Sequence, residues 1–287
     1  MIGIIYNPTT NKGASVERMK KVREKLDEMG VEYDYRETEY AGHATELAKE
    51  LAQTCDTIVS AGGDGTLHEI LNGTVDLDIN YAILPFGSGN DTSIALGTRD
   101  RTDEEHINAM VNGTPQLLDV MKLNDESISM QFGAYGIVPE VLSNFLKKKK
   151  SRGINYVLAL LSALMRHKAK NYKVEVDGTT TEYFTDMVAI MNIQTAGGGL
   201  KICMDAKIDD RKLDLVVVKH VGFFRYWANV IALARGKILK QPNVVHQLVD
   251  SATMICDSVE NCVVDGEMIA MQSCKMAVYS KQIKIKI

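Results

Sequence analysis

The sequence lacks a strong net charge, because 33 basic and 37 acidic residues leave a formal charge of −4 over 287 residues. Such a chain has no global basic field for nucleic acid or anionic lipid, so any membrane contact must come from a local patch. Apolar residues make up 45% and charged residues 24%, which is ordinary for a globular protein. We therefore expect no nucleic-acid partner, and a chain that forms one large domain or two modest ones.

Cysteine is also scarce, with five residues and no C-x-x-C spacing. That pattern argues against a disulfide framework and against a structural zinc site, and it favours a reducing compartment. Met1–Tyr6 lacks the basic segment of a signal peptide. The most apolar segment, Ile154–Met165, is shorter than the roughly 20 residues that span a bilayer. These features predict a cytoplasmic protein.

Two classes of phosphate-handling enzyme are excluded by missing motifs. The absence of G-x-x-x-x-G-K-[ST] excludes a P-loop enzyme, and the absence of H-R-D and D-F-G excludes a protein-kinase fold. Two other glycine-rich turns are present. Gly62–Thr66 follows the strand-like Thr57–Val59, Pro85–Asp91 follows the strand-like Tyr81–Leu84, and each turn precedes a helix-like run. Parallel strands would place both turns at one edge of a sheet, where open α/β folds bind ligands.

The first turn has the composition of a phosphate-binding loop. Gly62, Gly63 and Gly65 can take positive φ and have no Cβ to hold a ligand away, and a helix N-terminus attracts anions. Asp64 would repel a phosphate unless a Mg²⁺ lay between them. The alternative is an ordinary strand-to-helix turn in which Asp64 caps the helix.

The fold prediction divides the chain near Asn124. Alternating strands and helices to about residue 112 predict a doubly wound parallel sheet in an N-terminal α/β domain, residues 1–123. Residues 124–287 read as an antiparallel β-sandwich with helical insertions over Val138–His167 and Phe223–Leu239. Its last predicted strand is Lys275–Ile287.

Taken together, five short motifs resemble the diacylglycerol kinase catalytic-domain family of lipid kinases. They are Asn7–Thr10, Gly62–Thr66, Pro85–Asp91, Gly197–Gly199 and Asp265–Glu267. The first glycine turn alone also occurs in nicotinamide-dinucleotide kinases.

The resemblance implies a two-domain kinase that uses ATP and Mg²⁺ to phosphorylate a lipid hydroxyl, with diacylglycerol as the default substrate and phosphatidic acid as product. It further implies a cleft between the domains, transient contact with a membrane surface, a location peripheral to the membrane and a possible homodimer. The alternatives are a nicotinamide-dinucleotide kinase-like enzyme and a non-catalytic nucleotide- or lipid-binding regulator.

The resemblance also implies site residues in the first domain. Asp64 is expected to contact Mg²⁺ and to serve catalysis. The residues expected to bind the nucleotide are Asn7, Thr9, Thr10, Thr38, Gly62, Gly63, Gly65, Thr66, Glu69, Gly87, Ser88 and Asn90.

Two carboxylates in the second domain are candidates for activating the acceptor hydroxyl. Asp265 and Glu267 stand two residues apart, so on a strand they would share a face. The resemblance places the base at Glu267, with Asp265 as its catalytic neighbour. Without the resemblance, Asp265–Gly266 favours a hairpin turn with two solvated carboxylates.

A structural Mg²⁺ is expected at a second loop, again by resemblance. Its ligands would be the Asp210 carboxylate and the backbone carbonyls of Lys207 and Lys212, although Arg211 replaces the glycine of the usual D-G-x-L motif. The alternative is a capped acidic turn.

Two surface features remain open at this stage. Lys147–Lys150 with Arg152 is either a solvated helix face or a docking patch for anionic lipid head groups. Phe223–Trp227 packs in a core or lines a cleft for acyl chains.

Overall fold

The structure is a computed structural model that describes residues 1–147 and 164–287. The chain forms two compact units. The first comprises Met1–Val120 and Tyr279–Ile287, and the second comprises Met121–Val278.

The first unit contains a six-stranded sheet with the order β2-β1-β3-β4-β17-β5. The first four strands and β17 run parallel, and β5 is antiparallel to β17. The strands are β1 (Ile2–Tyr6), β2 (Tyr33–Glu37), β3 (Thr57–Gly62), β4 (Asn80–Pro85), β5 (Pro115–Leu118) and β17 (Ile283–Lys286). The helices are α1 (Val16–Glu28), α2 (His43–Leu51), α3 (Asp64–Thr74), α4 (Asp91–Ala95) and α5 (Asp103–Asn112), with a 3-10 helix at Thr10–Gly13.

Helices cover both faces of this sheet, which explains the continuous apolar runs of β1 and β3. Ile4 of β1 belongs to a core that includes Met19 of α1 and Ile107 of α5. Gly3 faces the opposite side, where Leu51 at the end of α2 and Cys55 approach it. Strands buried on both faces carry apolar residues at successive positions. The predicted doubly wound α/β domain is confirmed.

The structure differs from the expected domain boundary at the C-terminus. The predicted strand Lys275–Ile287 is two strands, because the preceding strand ends at Val278 and β17 pairs with β4 and β5 of the first unit. Ile283 and Ile285 are the buried residues of β17. Alternation marks such a segment as a strand but carries no information about which sheet it joins.

The second unit is built on a nine-stranded antiparallel sheet with the order β14-β13-β10-β8-β15-β16-β6-β7, in which β9 pairs with β10 and β15. Its larger strands are β8 (Phe132–Gly136), β9 (Lys170–Val176), β10 (Thr179–Met191), β13 (Leu213–Lys219), β14 (Val244–Val249), β15 (Ser251–Val264) and β16 (Glu267–Val278). The shorter strands are β6 (Met121–Leu123), β7 (Ser127–Ser129), β11 (Thr195–Ala196) and β12 (Leu200–Lys201). The helices are α6 (Ile137–Lys147) and α7 (Phe223–Ala234), with a 3-10 helix at Ile238–Lys240.

The central strands of the second unit are buried on both faces. Leu215 and Val217 of β13 face the inner core, which is formed by strands alone. Val216 and Val218 face the helix-side core, which α6 and α7 cover. The predicted antiparallel β-sandwich with helical insertions is confirmed, and these two cores position the loops described below.

The two helical insertions differ in extent from the prediction. The first begins at Ile137, and apart from the backbone of Lys147 the cluster Lys147–Lys150 with Arg152 lies outside the described residues. The second helix exposes Phe223 and Phe224 by 71% and 88%. Among the residues that the structure describes, these two aromatics therefore pack in no core and line no closed cleft. Within residues 1–147 and 164–287, no helix has the length and apolarity needed to span a membrane.

Candidate functional site

The predicted nucleotide residues collect at the carboxyl edge of the first sheet. The four parallel strands β2, β1, β3 and β4 lie side by side, with Tyr6 opposite Glu37 and Gly62 opposite Pro85. The segments that follow these strands contain the candidates from Asn7 to Asn90 named above. The expectation that both glycine turns share one sheet edge is confirmed, and their ligand roles stay predictions.

Close packing, and not unusual backbone geometry, requires glycine in these turns. Gly62, Gly63 and Gly65 all lack the positive φ that their sequence allows. A Cβ on Gly62 would lie 2.4 Å from Thr66 Oγ1, and one on Gly87 would lie 2.6 Å from the Cα of Gly63. Real Cβ atoms do not approach that closely, so the two turns touch through their glycines. Gly65 has open space around it.

Asp64 is the first residue of α3, but its carboxylate caps the neighbouring helix α4. Its two carboxylate oxygens accept hydrogen bonds from the backbone N–H groups of Asp91 at 3.0 Å and Thr92 at 3.1 Å, at the start of α4. The side chain is half-buried, and burial raises the pKa of its carboxyl above the usual value. Asp64 thereby ties the first turn to the second.

Glu69, one turn further along α3, caps another neighbouring helix. Its Oε2 accepts a hydrogen bond from the Ala44 N–H at 3.1 Å, and its backbone carbonyl accepts one from the Thr45 hydroxyl. The carboxylate thus satisfies a free donor at the start of α2. Sequence reasoning assigned Glu69 to the nucleotide and missed this structural role.

The turn after β1 is closed by its own side chains. Asn7 Oδ1 accepts hydrogen bonds from the backbone N–H and the hydroxyl of Thr9, and its Nδ2 donates to Thr66 Oγ1 at 3.4 Å. The Thr10 N–H donates to the Asn7 carbonyl. Thr38, buried after β2, donates its N–H to the Tyr6 carbonyl.

Asn90 shapes the second turn from inside. It has a φ of +56° and donates its side-chain amide to the carbonyls of Pro85 at 3.2 Å and Gly87 at 2.8 Å. Asparagine tolerates the left-handed region better than most residues. Both amide hydrogens are thus used within the turn, whereas Ser88 at its tip is exposed.

In the second unit, Asp265 and Gly266 form a two-residue turn between β15 and β16. Their φ values are +48° and +86°, and Val264 pairs with Glu267 across the hairpin. Positive φ at both central residues is the signature of a type I′ turn. The prediction that Asp265 and Glu267 share a strand face is therefore wrong, because Asp265 is the first residue of the turn and Glu267 is the first residue of β16.

The Asp265 carboxylate is buried and accepts hydrogen bonds on both oxygens. Its Oδ1 accepts hydrogen bonds from the Ser129 hydroxyl and from the N–H groups of Gln131 and Phe132, at 2.8 to 3.1 Å. Its Oδ2 accepts one from the Met130 N–H at 2.8 Å. Asp265 holds the loop between β7 and β8 against the hairpin, which does not suit the predicted catalytic role.

Glu267 differs from Asp265 in its exposure to solvent. It is exposed at the start of β16, next to Gly266. Gly266 forms part of the rim of an apolar cavity beneath α6. The other residues lining this cavity include Phe132, Ile137, Leu142, Leu233 and Val263. The residue before this exposed carboxylate in the chain therefore lines a space that suits hydrocarbon.

In the loop predicted to hold a structural metal, Arg211 keeps the backbone conformation expected of the glycine that it replaces. Arg211 has a φ of +62°, which the usual glycine would adopt freely. Asp210 Oδ1 accepts a hydrogen bond from the Lys212 N–H at 3.0 Å, and Lys212 Nζ pairs with Asp250. The capped acidic turn is therefore present. The remaining carboxylate oxygen of Asp210 is a ligand type that Mg²⁺ accepts.

A different group of ligating side chains went unnoticed in the sequence. In the described part of the chain, one cluster brings together three side chains of the histidine, cysteine and acidic types, namely Cys203, Asp214 and His246. They come from a loop and two strands, so no short spacing motif connects them.

Comparison with known proteins supplies the evolutionary context. The family model described as "Diacylglycerol kinase catalytic domain" matches residues 1–123, and "YegS C-terminal NAD kinase beta sandwich-like domain" matches residues 132–287. The diacylglycerol kinase of Bacillus subtilis is 24% identical over 269 residues, which cover 92% of this chain and 88% of that protein. The diacylglycerol kinase of Staphylococcus saprophyticus is 28% identical over 270 residues, with the same coverage.

Solved structures share the fold. A crystal structure of a diacylglycerol kinase from Bacillus anthracis superposes with a TM-score of 0.74 at 21% identity, covering 99% of this chain and 96% of that one. Another structure from the same strain gives a TM-score of 0.82 at 24% identity, covering 99% and 94%. At these identities the likeness concerns the fold alone.

Proposed function

This chain belongs to the diacylglycerol kinase catalytic-domain family and is an ATP-dependent lipid kinase, and we propose that it transfers the γ-phosphoryl group of ATP to diacylglycerol to form phosphatidic acid. One observation carries the choice of a glyceride over a polar acceptor such as a dinucleotide. The exposed residue Glu267 directly follows Gly266, which lines a cavity whose walls are almost wholly apolar. The names of the relatives support diacylglycerol as that glyceride.

The nucleotide half of the proposal uses the glycine turns of the first unit. Side-chain-free backbone at Gly63, Gly65 and Gly87 lets phosphate oxygens approach the N–H groups at the start of α3, where the helix dipole favours anions. Hydroxyl groups of Thr66 and Ser88, and those of the Asn7–Thr10 turn, supply further donors by residue type.

Mg²⁺ fits beside Asp64. Its carboxylate oxygens are the ligand type that Mg²⁺ prefers, and a carboxylate whose burial raises its pKa gains from a nearby cation. When bound, the ion neutralises charge on the phosphates. The chain's own contribution is to hold Asp64 rigidly between the two turns.

The acceptor half of the proposal assigns different roles to the two acids of the hairpin. Glu267 orients the acceptor hydroxyl and accepts its proton, while the apolar cavity receives the hydrocarbon of the lipid. Asp265 is a positioning residue, because its buried carboxylate binds four donors of the neighbouring loop and holds that loop against the hairpin.

A structural Mg²⁺ at the Asp210 loop is part of the proposal. The Asp210 carboxylate and the carbonyls of Lys207 and Lys212 would hold it. The left-handed conformation of Arg211 supports this assignment, because it preserves the turn on which the motif depends.

We place the enzyme at a bilayer surface through the start of α7. Phe223 and Phe224 are exposed there, in contact with each other, and Arg225 follows them. Exposed aromatics beside a cation suit a membrane interface. Phe224→Ser is expected to weaken binding to anionic vesicles, and Leu77→Ser, at another exposed apolar residue in the first unit, is the control. Equal losses in both variants would refute this contact. The expected homodimer stays a prediction.

Labelled ATP offered with a panel of acceptors tests the function. The panel contains a short-chain diacylglycerol, a sphingoid base, ceramide and a nicotinamide dinucleotide, and the labelled product is identified by its mobility. We expect label in phosphatidic acid. Label only in the dinucleotide would overturn the lipid assignment, and transfer to no acceptor would favour a non-catalytic binding protein.

A further inference from the structure

The cluster of Cys203, Asp214 and His246 lies in the second unit, outside the hairpin and the apolar cavity. Asp214 is on β13, on the same face as Val216 and Val218, so it points toward the helix-side core. Cys203 belongs to that core. His246 is on β14 at the edge of the sheet, and a quarter of its side chain is exposed.

The three ligand atoms converge on one point. His246 Nε2 is 2.5 Å from Asp214 Oδ1 and 3.9 Å from Cys203 Sγ, and all three atoms lie within 4.8 Å of one another. In a nucleophilic triad, the imidazole contacts the nucleophile with one ring nitrogen and the carboxylate with the other. Here the same nitrogen faces both groups, so the arrangement cannot relay a proton from thiol to carboxylate through the ring.

Burial makes a cation at this point favourable. Asp214 is 1% exposed and Cys203 is fully buried. A buried carboxylate is tolerated when a positive charge compensates it. A divalent cation that binds a thiolate, a carboxylate and a neutral imidazole leaves the group with no net charge, and its binding releases the thiol proton to solvent.

We propose that Cys203, Asp214 and His246 bind one divalent cation of the zinc class. Sulfur, nitrogen and oxygen ligands together suit Zn²⁺, whereas Mg²⁺ takes oxygen ligands. Three protein ligands leave one tetrahedral position, which a water molecule reaches from the exposed side of His246. The site is independent of the proposed kinase reaction, because it shares no residue with the nucleotide turns or with Glu267.

Metal binding by the full-length protein tests the site directly. The protein is first freed of metal with a chelator. It is then titrated with Zn²⁺ and, separately, with Co²⁺, whose thiolate charge-transfer absorption reports a bound cysteine. We expect one equivalent of either metal. His246→Gln and Cys203→Ser should weaken binding by more than the roughly 10–100-fold that is typical of losing a hydrogen-bond partner of a metal ligand. Cys256→Ser, at a buried cysteine of the inner core, should bind like the wild type.

Folding is checked on His246→Gln, since His246 is half-buried on an edge strand and belongs to neither hydrophobic core. Zn²⁺ should raise the melting temperature of the wild type and not that of this variant. Absence of Zn²⁺ binding by the wild type, binding unchanged in His246→Gln, or a Co²⁺ complex without thiolate absorption would each overturn the proposal. If Asp210→Asn lost the one equivalent of bound metal and His246→Gln kept it, the metal would belong to the Asp210 loop and the proposal would be wrong.

Discussion

Replacing Asp265 by asparagine tests whether this residue stabilises the fold, whereas Glu267 is expected to affect the rate of turnover. A carboxamide keeps one oxygen and presents an NH₂ group in place of the other. In the native arrangement Oδ2 accepts the Met130 N–H, and Oδ1 accepts three donors. Whichever way the carboxamide turns, at least one buried donor of the β7–β8 loop loses its acceptor, and the remaining bonds lose their charge.

The magnitude follows from these bonds. An orphaned buried N–H costs about 1–3 kcal/mol, and each bond that changes from charged to neutral loses roughly 1 kcal/mol. Removing the buried charge returns part of this, since a buried carboxylate carries a desolvation cost. We expect Asp265→Asn to lower the free energy of unfolding by about 2–4 kcal/mol, the range of a broken buried network. For a domain of this size, that corresponds to a melting temperature lower by roughly 5–15 °C.

Glu267→Gln is the matched variant. Its side chain is exposed, so the free energy of unfolding should change by less than about 0.5 kcal/mol. Loss of a general base should lower kcat by about 10²–10⁴-fold. The Kd for ATP should stay unchanged, because the glycine turns belong to the first unit.

Thermal melts, kcat for a short-chain diacylglycerol and Kd for ATP are measured on both variants. The reasoning would be refuted if Asp265→Asn melted like the wild type while losing turnover, and Glu267→Gln kept its kcat within about threefold. The two acids would then exchange roles.

Further predictions concern the first unit. Asp64→Asn should abolish Mg²⁺-dependent turnover and also lower the melting temperature, since one of the two N–H groups at the start of α4 loses its acceptor. Because burial raises the pKa of Asp64, its ionised form is lost at a higher pH than for an ordinary aspartate. The Mg²⁺ concentration needed for half-maximal turnover should therefore rise as the pH falls toward that pKa, and an Asp64-independent Mg²⁺ requirement would show no such rise. Gly87→Ala should weaken ATP binding at least tenfold, because the added Cβ meets Gly63 at 2.6 Å, whereas Gly65→Ala, with open space around it, should fold and melt normally. Equal ATP affinity in Gly87→Ala and the wild type would contradict the close contact of the two turns.

Local patterns predicted the first sheet well, because a parallel strand buried on both faces has a distinctive sequence. The turns after β3 and β4 were placed correctly at one edge, since parallel topology leaves no other arrangement. The function of the carboxylates was harder to predict. Asp64, Glu69 and Asp265 each bind backbone N–H groups of a segment distant in sequence, and no spacing rule reports such partners.

The hairpin at Asp265 matches the alternative left open by the sequence, in which Asp265–Gly266 forms a turn. Asp-Gly is a strong signal for a two-residue turn, and the turn is what formed. The sequence did not reveal that Asp265 is buried and Glu267 solvated, because the burial of Asp265 depends on the β7–β8 loop. The Cys203 cluster was missed for the same reason, as its members meet only when β13 and β14 pair.

The return of the chain to its first sheet has a consequence for biosynthesis. Until residues 283–286 leave the ribosome, β5 has no neighbour and β4 has a free edge. All of Met121–Val278 is synthesised in between, so the unit that is begun first is finished last. Exposed strand edges invite association with other chains during that interval. A ribosome that stops early therefore releases a polypeptide whose first sheet lacks β17, the strand that connects β4 to β5.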